Sequence, residues 1–199
     1  VTKKIEELID LNMVNEPESP NFSPDGRKVV FSALKEAIGD IYQINLDTHA
    51  VINLTDDELA NYGPVYAPDG QSILYLTHVS GNNKLFRMQL DTSDQTQLTF
   101  GTHDETGLRF IDNRTIVFAS TAVDPSQPMD ADVARDSEIF NIWTLDLENG
   151  ELRQHTDTAT GNVNPVLVTP QENEEGNRIA FITYFKGEYG LHTIVQDET

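Results

Sequence analysis

Apolar and polar residues alternate along most of the chain and predict short β-strands. Segments 40–47, 84–91 and 139–146 each place Ile, Leu, Phe or Met at alternate positions, with polar residues between them. Such alternation is typical of strands with one buried face. Outside residues 5–9, whose spacing is partly helical, no stretch suggests a helix.

The strand pattern repeats about every 44 residues. Residues 20–26 (PNFSPDG) and 64–70 (PVYAPDG) are two copies of one motif, with Asp25 and Asp69 44 residues apart. A third, eroded copy follows after 43 residues, and a fourth begins at Pro165. Pro, Asp and Gly together favour a tight turn, because Pro restricts φ, Asp bonds to nearby backbone and Gly accepts positive φ.

Each unit continues with an apolar strand, a turn and a short strand that ends near a threonine: Thr55, Thr99 or Thr156. Four strands in about 44 residues is the composition of one propeller blade. In this register, segment 5–9 is predicted to be a closing strand. We therefore predict an all-β protein, a β-propeller of four-stranded antiparallel blades.

The strand count gives about four blades, with one strand before the first full unit and three strands after Pro165. We expect the N-terminal strand to complete the last blade, because this pairing removes exposed strand edges. Residues 1–199 then form a single domain. Three interpretations stay open: the ring closes alone, it pairs with a second copy in a larger ring, or the chain is a piece of a longer protein, which its start at Val1 favours.

The motifs Phe22-Ser-Pro-Asp-Gly and Tyr66-Ala-Pro-Asp-Gly, each followed by an apolar triplet and later by Leu-Thr, resemble the repeats of the TolB-like (PD40 repeat, WD40-like) β-propeller family. The resemblance extends from about residue 5 to residue 197. It implies a scaffold that binds a protein or peptide in the periplasm or outside the cell. The family also includes propeller domains of peptidases, so a substrate-gating module of a peptidase is the alternative.

The charge balance excludes several partners. The formal net charge is −20, from 33 acidic and 13 basic residues. Nucleic acids and anionic lipids need neutralisation by Lys and Arg, so neither is expected as a partner. The acidity is explained by solubility, by a basic partner or by bound divalent cations. No apolar run is long enough to insert in a membrane.

Catalytic motifs are missing from the sequence. It contains no cysteine, no Gly-x-Ser-x-Gly, no His-Glu-x-x-His and no glycine-rich phosphate loop, and its five histidines lie far apart. We therefore predict a non-catalytic protein without a cofactor, calcium excepted. The parent protein is still open to being a peptidase.

Polar residues at equivalent positions are the first candidate site. Asn61, Glu105 and Asn162 recur three residues before the expected first strand of their units, and His103 and Asp104 directly precede Glu105. One interpretation is that they cap loop backbone. The other is that they form a polar ring around the mouth of the channel, where a partner binds.

The insertion at residues 121–137 is the second candidate, because about 19 residues interrupt the repeat there. Loops that a scaffold does not need are often functional. Asp130 and Asp132 lie on alternate residues and suggest a calcium site, since carboxylates suit this hard cation. Asp124 and Asp136 are further candidates for contact with a partner. The alternative is an acidic, solvated loop.

The recurring aromatic residues are predicted to belong to the core. Trp143 lies in an apolar strand, where we expect packing between blades. The others recur at equivalent places in the units: Phe22, Phe31, Tyr66, Tyr75, Phe110, Phe118 and Phe181.

Overall fold

A computed structural model describes residues 9–123, 136–168 and 177–195. These residues form fifteen β-strands in four antiparallel sheets, arranged as four blades of a β-propeller, and this confirms the predicted fold class. None of the described segments is a helix, so none offers a long apolar helix to cross a bilayer.

Blades 1 and 2 each have four strands in sequential order. Blade 1 consists of β1 Asn15–Phe22, β2 Lys28–Lys35, β3 Ile38–Asn45 and β4 Val51–Asn53. Blade 2 consists of β5 Asn61–Tyr66, β6 Ser72–Val79, β7 Asn82–Gln89 and β8 Gln95–Gln97.

Blade 3 also has four strands, and three strands of blade 4 are described. Blade 3 consists of β9 Glu105–Phe110, β10 Thr115–Ala122, β11 Asp136–Asp146 and β12 Leu152–Gln154. Blade 4 consists of β13 Asn162–Val168, β14 Arg178–Phe185 and β15 Glu188–Val195. The strand predicted at residues 5–9, and with it the closure of blade 4, lies almost wholly outside the described residues.

The predicted turn chemistry joins the first two strands of the blades. In blade 1, Asp25 Oδ1 accepts hydrogen bonds from the Arg27 N–H and from the Ser23 hydroxyl at 3.0 and 2.6 Å. Gly26 closes this turn with a φ of +71°. Asp69 accepts from the Gln71 N–H in the same way.

The first strand of every blade contains a bulge that the repeat pattern alone did not indicate. A residue with positive φ lies at each bulge, and the pairing register shifts there. These residues are Ser19, Gly63, Gly107 and Asn164, with φ of 53°, 63°, 68° and 53°. In three blades a proline follows, which fits because a bulge tolerates a residue without an N–H donor.

The core lies between blades rather than within them. The first strand of each of blades 2, 3 and 4 contacts three strands of the preceding blade. Trp143 is 1% exposed and packs with Leu74 and Leu85 of blade 2, which confirms its predicted place in the core. Tyr75 of blade 2 packs in the same manner against Ile41 of blade 1.

The prediction that Phe22 belongs to the core is wrong. Phe22 is 63% exposed, whereas Tyr66 at the equivalent position of blade 2 is 7% exposed. Tyr66 packs against blade 1, but no described blade precedes Phe22. Elsewhere on this side of blade 1, Val14 from the N-terminal segment packs with Phe31 and Tyr42 and keeps them buried.

Candidate functional site

The three equivalent polar candidates begin the first strands of their blades. Asn61, Glu105 and Asn162 are the first residues of β5, β9 and β13, which corrects the expectation that they precede these strands by three residues. Their exposed fractions are 0%, 0% and 1%. They lie in the junctions between consecutive blades, which we number 1 to 3 from the N-terminus.

A threonine at the end of each complete blade holds the junction together. The Oγ1 atoms of Thr55, Thr99 and Thr156 accept a hydrogen bond from a buried backbone N–H fourteen residues earlier, at 3.0, 2.9 and 2.8 Å. Each hydroxyl also donates to a carboxylate or amide oxygen. Because a buried N–H must be paired, this contact explains why the closing strand is followed by threonine in each repeat.

Junctions 1 and 3 both have an asparagine as the first-strand residue, and a threonine of the same blade donates to its side-chain oxygen. Thr77 Oγ1 donates to Asn61 Oδ1 at 2.8 Å in junction 1, and Thr183 Oγ1 donates to Asn162 Oδ1 in junction 3. Asn162 Nδ2 also donates to Asn141 Oδ1, at 3.3 Å. The amide of Asn162 thus connects the first strand of blade 4 to its neighbour and to blade 3. In junction 1, Asn61 Nδ2 donates to the Asp57 carboxylate at 3.0 Å, in the loop before β5.

Junction 2 has charged groups at the two positions where junction 3 has amides. Lys84 takes the place of Asn141, and Glu105 takes the place of Asn162; their Nζ and Oε2 atoms are 3.3 Å apart. Lys84 Nζ also donates to the carbonyl oxygen of His103, and Thr99 Oγ1 donates to Glu105 Oε2 at 3.1 Å. Ser120 Oγ lies at the edge of hydrogen-bond distance from the second carboxylate oxygen.

His103 and Asp104 are part of the same junction. His103 Nε2 is 2.9 Å from Glu105 Oε1, and both side chains are fully buried. The Asp104 carboxylate accepts from the Asn83 N–H at 2.7 Å, while its own N–H donates to Thr121 Oγ1 at 2.9 Å. These contacts agree with the capping interpretation of the loop.

Burial governs the electrostatics of junction 2. Removal from water raises the pKa of Glu105 to about 8, while Lys84 and the Thr99 hydroxyl oppose this rise by favouring the carboxylate. Burial also raises the pKa of Tyr62 to about 12, with a further contribution from the nearby charges of Asp104 and Glu105. Because Lys84, His103 and Glu105 are at most 2% exposed, their geometry suits cohesion between blades better than access for a substrate. The role of Asn61, His103, Asp104, Glu105 and Asn162 in binding a partner stays a prediction.

The acidic insertion falls largely outside the described residues. Asp124, Asp130 and Asp132 are not described, so the calcium hypothesis stays a prediction. The backbone of Asp136 pairs with Ala122, which shows that the insertion connects β10 to β11. Among the side chains that are described, no group of three His, Asp or Glu is arranged to hold a metal ion.

A groove between blades 1 and 2 is a site that sequence reasoning missed. Leu34, Ala60 and Tyr62 supply apolar lining, and Glu16 and Glu18 of β1 supply two exposed carboxylates. Glu16 has a φ of +49°, which disturbs the alternation of β1. No motif indicates the groove, because its lining comes from two blades that the sequence separates by about one repeat.

Comparisons with known proteins support this architecture. A protein of Agrobacterium fabrum, Atu1656, is 25% identical over 169 residues, which cover 84% of this chain and 55% of that protein. Dipeptidyl-peptidase 5 of Porphyromonas endodontalis is 28% identical over 117 residues, 55% of this chain and 17% of the peptidase. The chain thus spans about half the length of the Agrobacterium relative, and much less of the peptidase.

Solved structures share the fold at low sequence identity. TolB from Acinetobacter baumannii superposes with a TM-score of 0.58 at 19% identity, covering 94% of this chain and 44% of that chain. Puromycin hydrolase superposes with a TM-score of 0.65 at 19% identity, covering 88% of this chain and 26% of the hydrolase. The PD40 family, described as the TolB beta propeller domain, matches residues 2–140. The chain therefore belongs to the TolB β-propeller family.

Proposed function

We propose that the chain is a non-catalytic propeller scaffold that binds a protein or peptide, as part of a larger protein or assembly in the periplasm or outside the cell. The observation that carries the proposal is that the buried titratable groups are bonded to other residues of the propeller. Among the described residues, the buried charged side chains and the buried histidine are Asp40, Lys84, His103 and Glu105, and all four bond within or between blades. A catalytic acid or base needs contact with substrate, which these groups do not offer.

The chemistry of the surface favours a partner with basic side chains. The net charge of −20 attracts cations at long range and accelerates their association. The groove between blades 1 and 2 adds a local feature, since Glu16 and Glu18 flank the apolar surface of Leu34 and Tyr62. An Arg or Lys side chain suits such a groove, because its stem packs on apolar atoms while its charged end meets a carboxylate.

A charge-reversal experiment tests this binding mode. A fluorescein-labelled peptide that contains Lys and Phe is titrated against the protein and against the Glu16→Lys, Glu18→Lys variant. The control variant is Asp47→Lys, Asp91→Lys, which makes the same change of net charge at exposed turns of blades 1 and 2. We expect a loss of about tenfold or more in affinity for the groove variant, equivalent to about 1.4 kcal/mol, and little change for the control. Equal losses in both variants would show that the groove does not bind the peptide.

The alternative function is a substrate-gating propeller of a peptidase. It is favoured by the likeness to dipeptidyl-peptidase 5, of which this chain covers only 17%. In that case the catalytic domain lies in the same polypeptide outside these residues. A hydrolase motif in the same reading frame, with peptidase activity in the longer protein, would support the alternative over the scaffold.

A further inference from the structure

A cavity of about 200 Å³ lies between blades 1 and 2, at the end of junction 1 that is opposite to the groove. We call it the basal cavity; its lining includes Lys28, Tyr66, Leu90 and the two aspartates Asp25 and Asp69. Lys28 begins β2 and Tyr66 ends β5, whereas the groove lies where β2 ends and β5 begins. The volume is below the about 300–1,000 Å³ of sites for drug-sized ligands, so it suits one amino-acid residue.

The floor of the basal cavity is apolar and is held in place by blade 1. Tyr66 is 7% exposed, and Leu90 packs against the same core between the two blades. The Tyr66 hydroxyl accepts a hydrogen bond from Gln43 Nε2 at 2.8 Å, and the Tyr66 N–H donates to Asn21 Oδ1 at 2.8 Å. Because two residues of blade 1 fix this tyrosine, the floor is formed before a ligand arrives, which lowers the cost of binding.

Two aspartates of the repeated turns lie at the rim of the cavity. Asp25 Oδ1 and Asp69 Oδ1 accept hydrogen bonds within their own turns, but neither Oδ2 atom has a partner among the residues that the structure describes. The two turns are in contact, since a Cβ built on Gly70 would lie 3.5 Å from Pro24 Cδ. Burial raises the pKa of Tyr66 to about 12, and the charge of Asp25 adds to this rise, which places that carboxylate near the floor.

A lysine provides the opposite charge. Lys28 lies on the same side of β2 as Val30, which packs against blade 2. Within the described part of the chain, the Lys28 ammonium group makes no ion pair or hydrogen bond. The equivalent residues of blades 2 and 3 are Ser72 and Thr115, which pair with the last residues of their third strands as Lys28 does. Among the three junctions, a charge at this position is therefore specific to junction 1.

The charges of the basal cavity favour a ligand that carries both signs. A metal ion suits the cavity less well, because the Lys28 ammonium repels it. A simple anion is disfavoured by the carboxylates of Asp25 and Asp69 and by the net charge of −20. A ligand with a cation at one end and a carboxylate at the other complements all three charged groups.

We propose that the basal cavity binds a lysine or arginine residue with a free carboxylate, either as the amino acid itself or as the C-terminal residue of a peptide. The side-chain cation meets Asp25 and Asp69 in charge-assisted hydrogen bonds. The aliphatic stem packs on Tyr66 and Leu90, and the carboxylate pairs with Lys28. The proposal is independent of the groove and of the scaffold function, because the two sites lie at opposite ends of the junction and share no lining residue.

Isothermal titration calorimetry with three probes tests the proposal. L-lysine represents the free amino acid, acetyl-L-lysine blocked at its α-amino group represents a C-terminal residue, and the amide of that acetyl-lysine lacks the carboxylate. We expect both acids to bind and the amide to bind about tenfold more weakly, because the charged contact with Lys28 is lost. Stronger binding of L-lysine than of acetyl-lysine assigns the site to the free amino acid, and equal binding assigns it to a C-terminal residue. Equal binding of acid and amide, or no saturable binding of any probe, overturns the proposal.

Three variants locate the ligand. Lys28→Gln should remove the preference for the acid over the amide, and Asp69→Asn should weaken the binding of all three probes about tenfold. Asp112→Asn is the matched control, because it makes the same change of charge at the equivalent exposed turn of blade 3 and should leave binding unchanged. The three side chains are exposed or half-buried, so thermal melts should show little change in Tm. A preference that survives Lys28→Gln, or equal losses from Asp69→Asn and Asp112→Asn, would show that the cavity does not hold the ligand.

Discussion

Replacing both members of the buried Lys84–Glu105 pair by asparagine should destabilise the protein less than the two single replacements do in sum. The double variant, Lys84→Asn with Glu105→Asn, converts junction 2 to the chemistry of junction 3, where Asn141 and Asn162 share a hydrogen bond of 3.3 Å. Of the single variants, Glu105→Asn leaves the Lys84 ammonium buried without its carboxylate, and Lys84→Asn leaves the Glu105 carboxyl buried without the cation that favours its ionised form.

The magnitude follows from the burial of the pair. Lys84 is 2% exposed and Glu105 is fully buried, so water cannot replace the lost partner. Removal of one member of such a pair costs about 3–5 kcal/mol of unfolding free energy. The double variant loses mainly the packing of the longer side chains, at about 0.8 kcal/mol for each buried methylene. We therefore expect a coupling of about 2 kcal/mol or more between the two positions.

Urea unfolding at pH 9 measures this coupling. At that pH the Glu105 carboxyl, with its pKa raised to about 8 by burial, is ionised when paired with Lys84. The fluorescence of Trp143 is a suitable probe, because this tryptophan is 1% exposed in the core between blades 2 and 3. A coupling below about 0.5 kcal/mol is what independent sites show, and it would refute the argument that the pair holds junction 2 together.

Three further outcomes are expected. Because the pKa of Glu105 is raised from 4.5 to about 8, the folded state keeps a proton that the unfolded state has lost. Stability should therefore fall as pH rises from about 4.5 to about 8. Urea midpoints across this range should show the slope, and Glu105→Gln should remove it. Gly107→Ala should lower stability by about 1–3 kcal/mol, because the added Cβ would lie 3.0–3.2 Å from atoms of Pro165 and Asn164 in blade 4, at a φ of +68°. Gly26 has a similar φ and nothing within 4 Å of an added Cβ, so Gly26→Ala isolates the backbone contribution in thermal melts. Thr156→Val should cost about 1–3 kcal/mol of unfolding free energy, because it leaves a buried N–H unpaired. Thr96→Val, at an exposed position, should change Tm little. Equal effects of the two replacements would contradict the role of the junction threonine.

The local structure could be predicted from the sequence. The turn at Pro24-Asp25-Gly26 depends on three neighbouring residues, so its chemistry is visible without a fold. The strands are visible for a related reason, because alternation has a period of two wherever one face is buried. The turn and the strand pattern both recur about every 44 residues, which indicated the blades and placed Trp143 in a buried strand.

The state of the site depended on the tertiary structure. Asn61, Glu105 and Asn162 have the composition of a polar ring, but each is buried at a junction between blades. The pairing of Lys84 with Glu105 joins residues 21 positions apart on different blades. No local pattern encodes that contact.

Exposure likewise depended on which surface lies opposite. Phe22 and Tyr66 belong to the same motif, yet one is exposed and the other buried. Leu191 and Leu85 differ in the same way, since only Leu85 has a following blade against it. The sequence by itself determined which residues are apolar and how the strands alternate; the tertiary structure decided which apolar faces are covered, because burial is a property of two surfaces and the repeat describes only one.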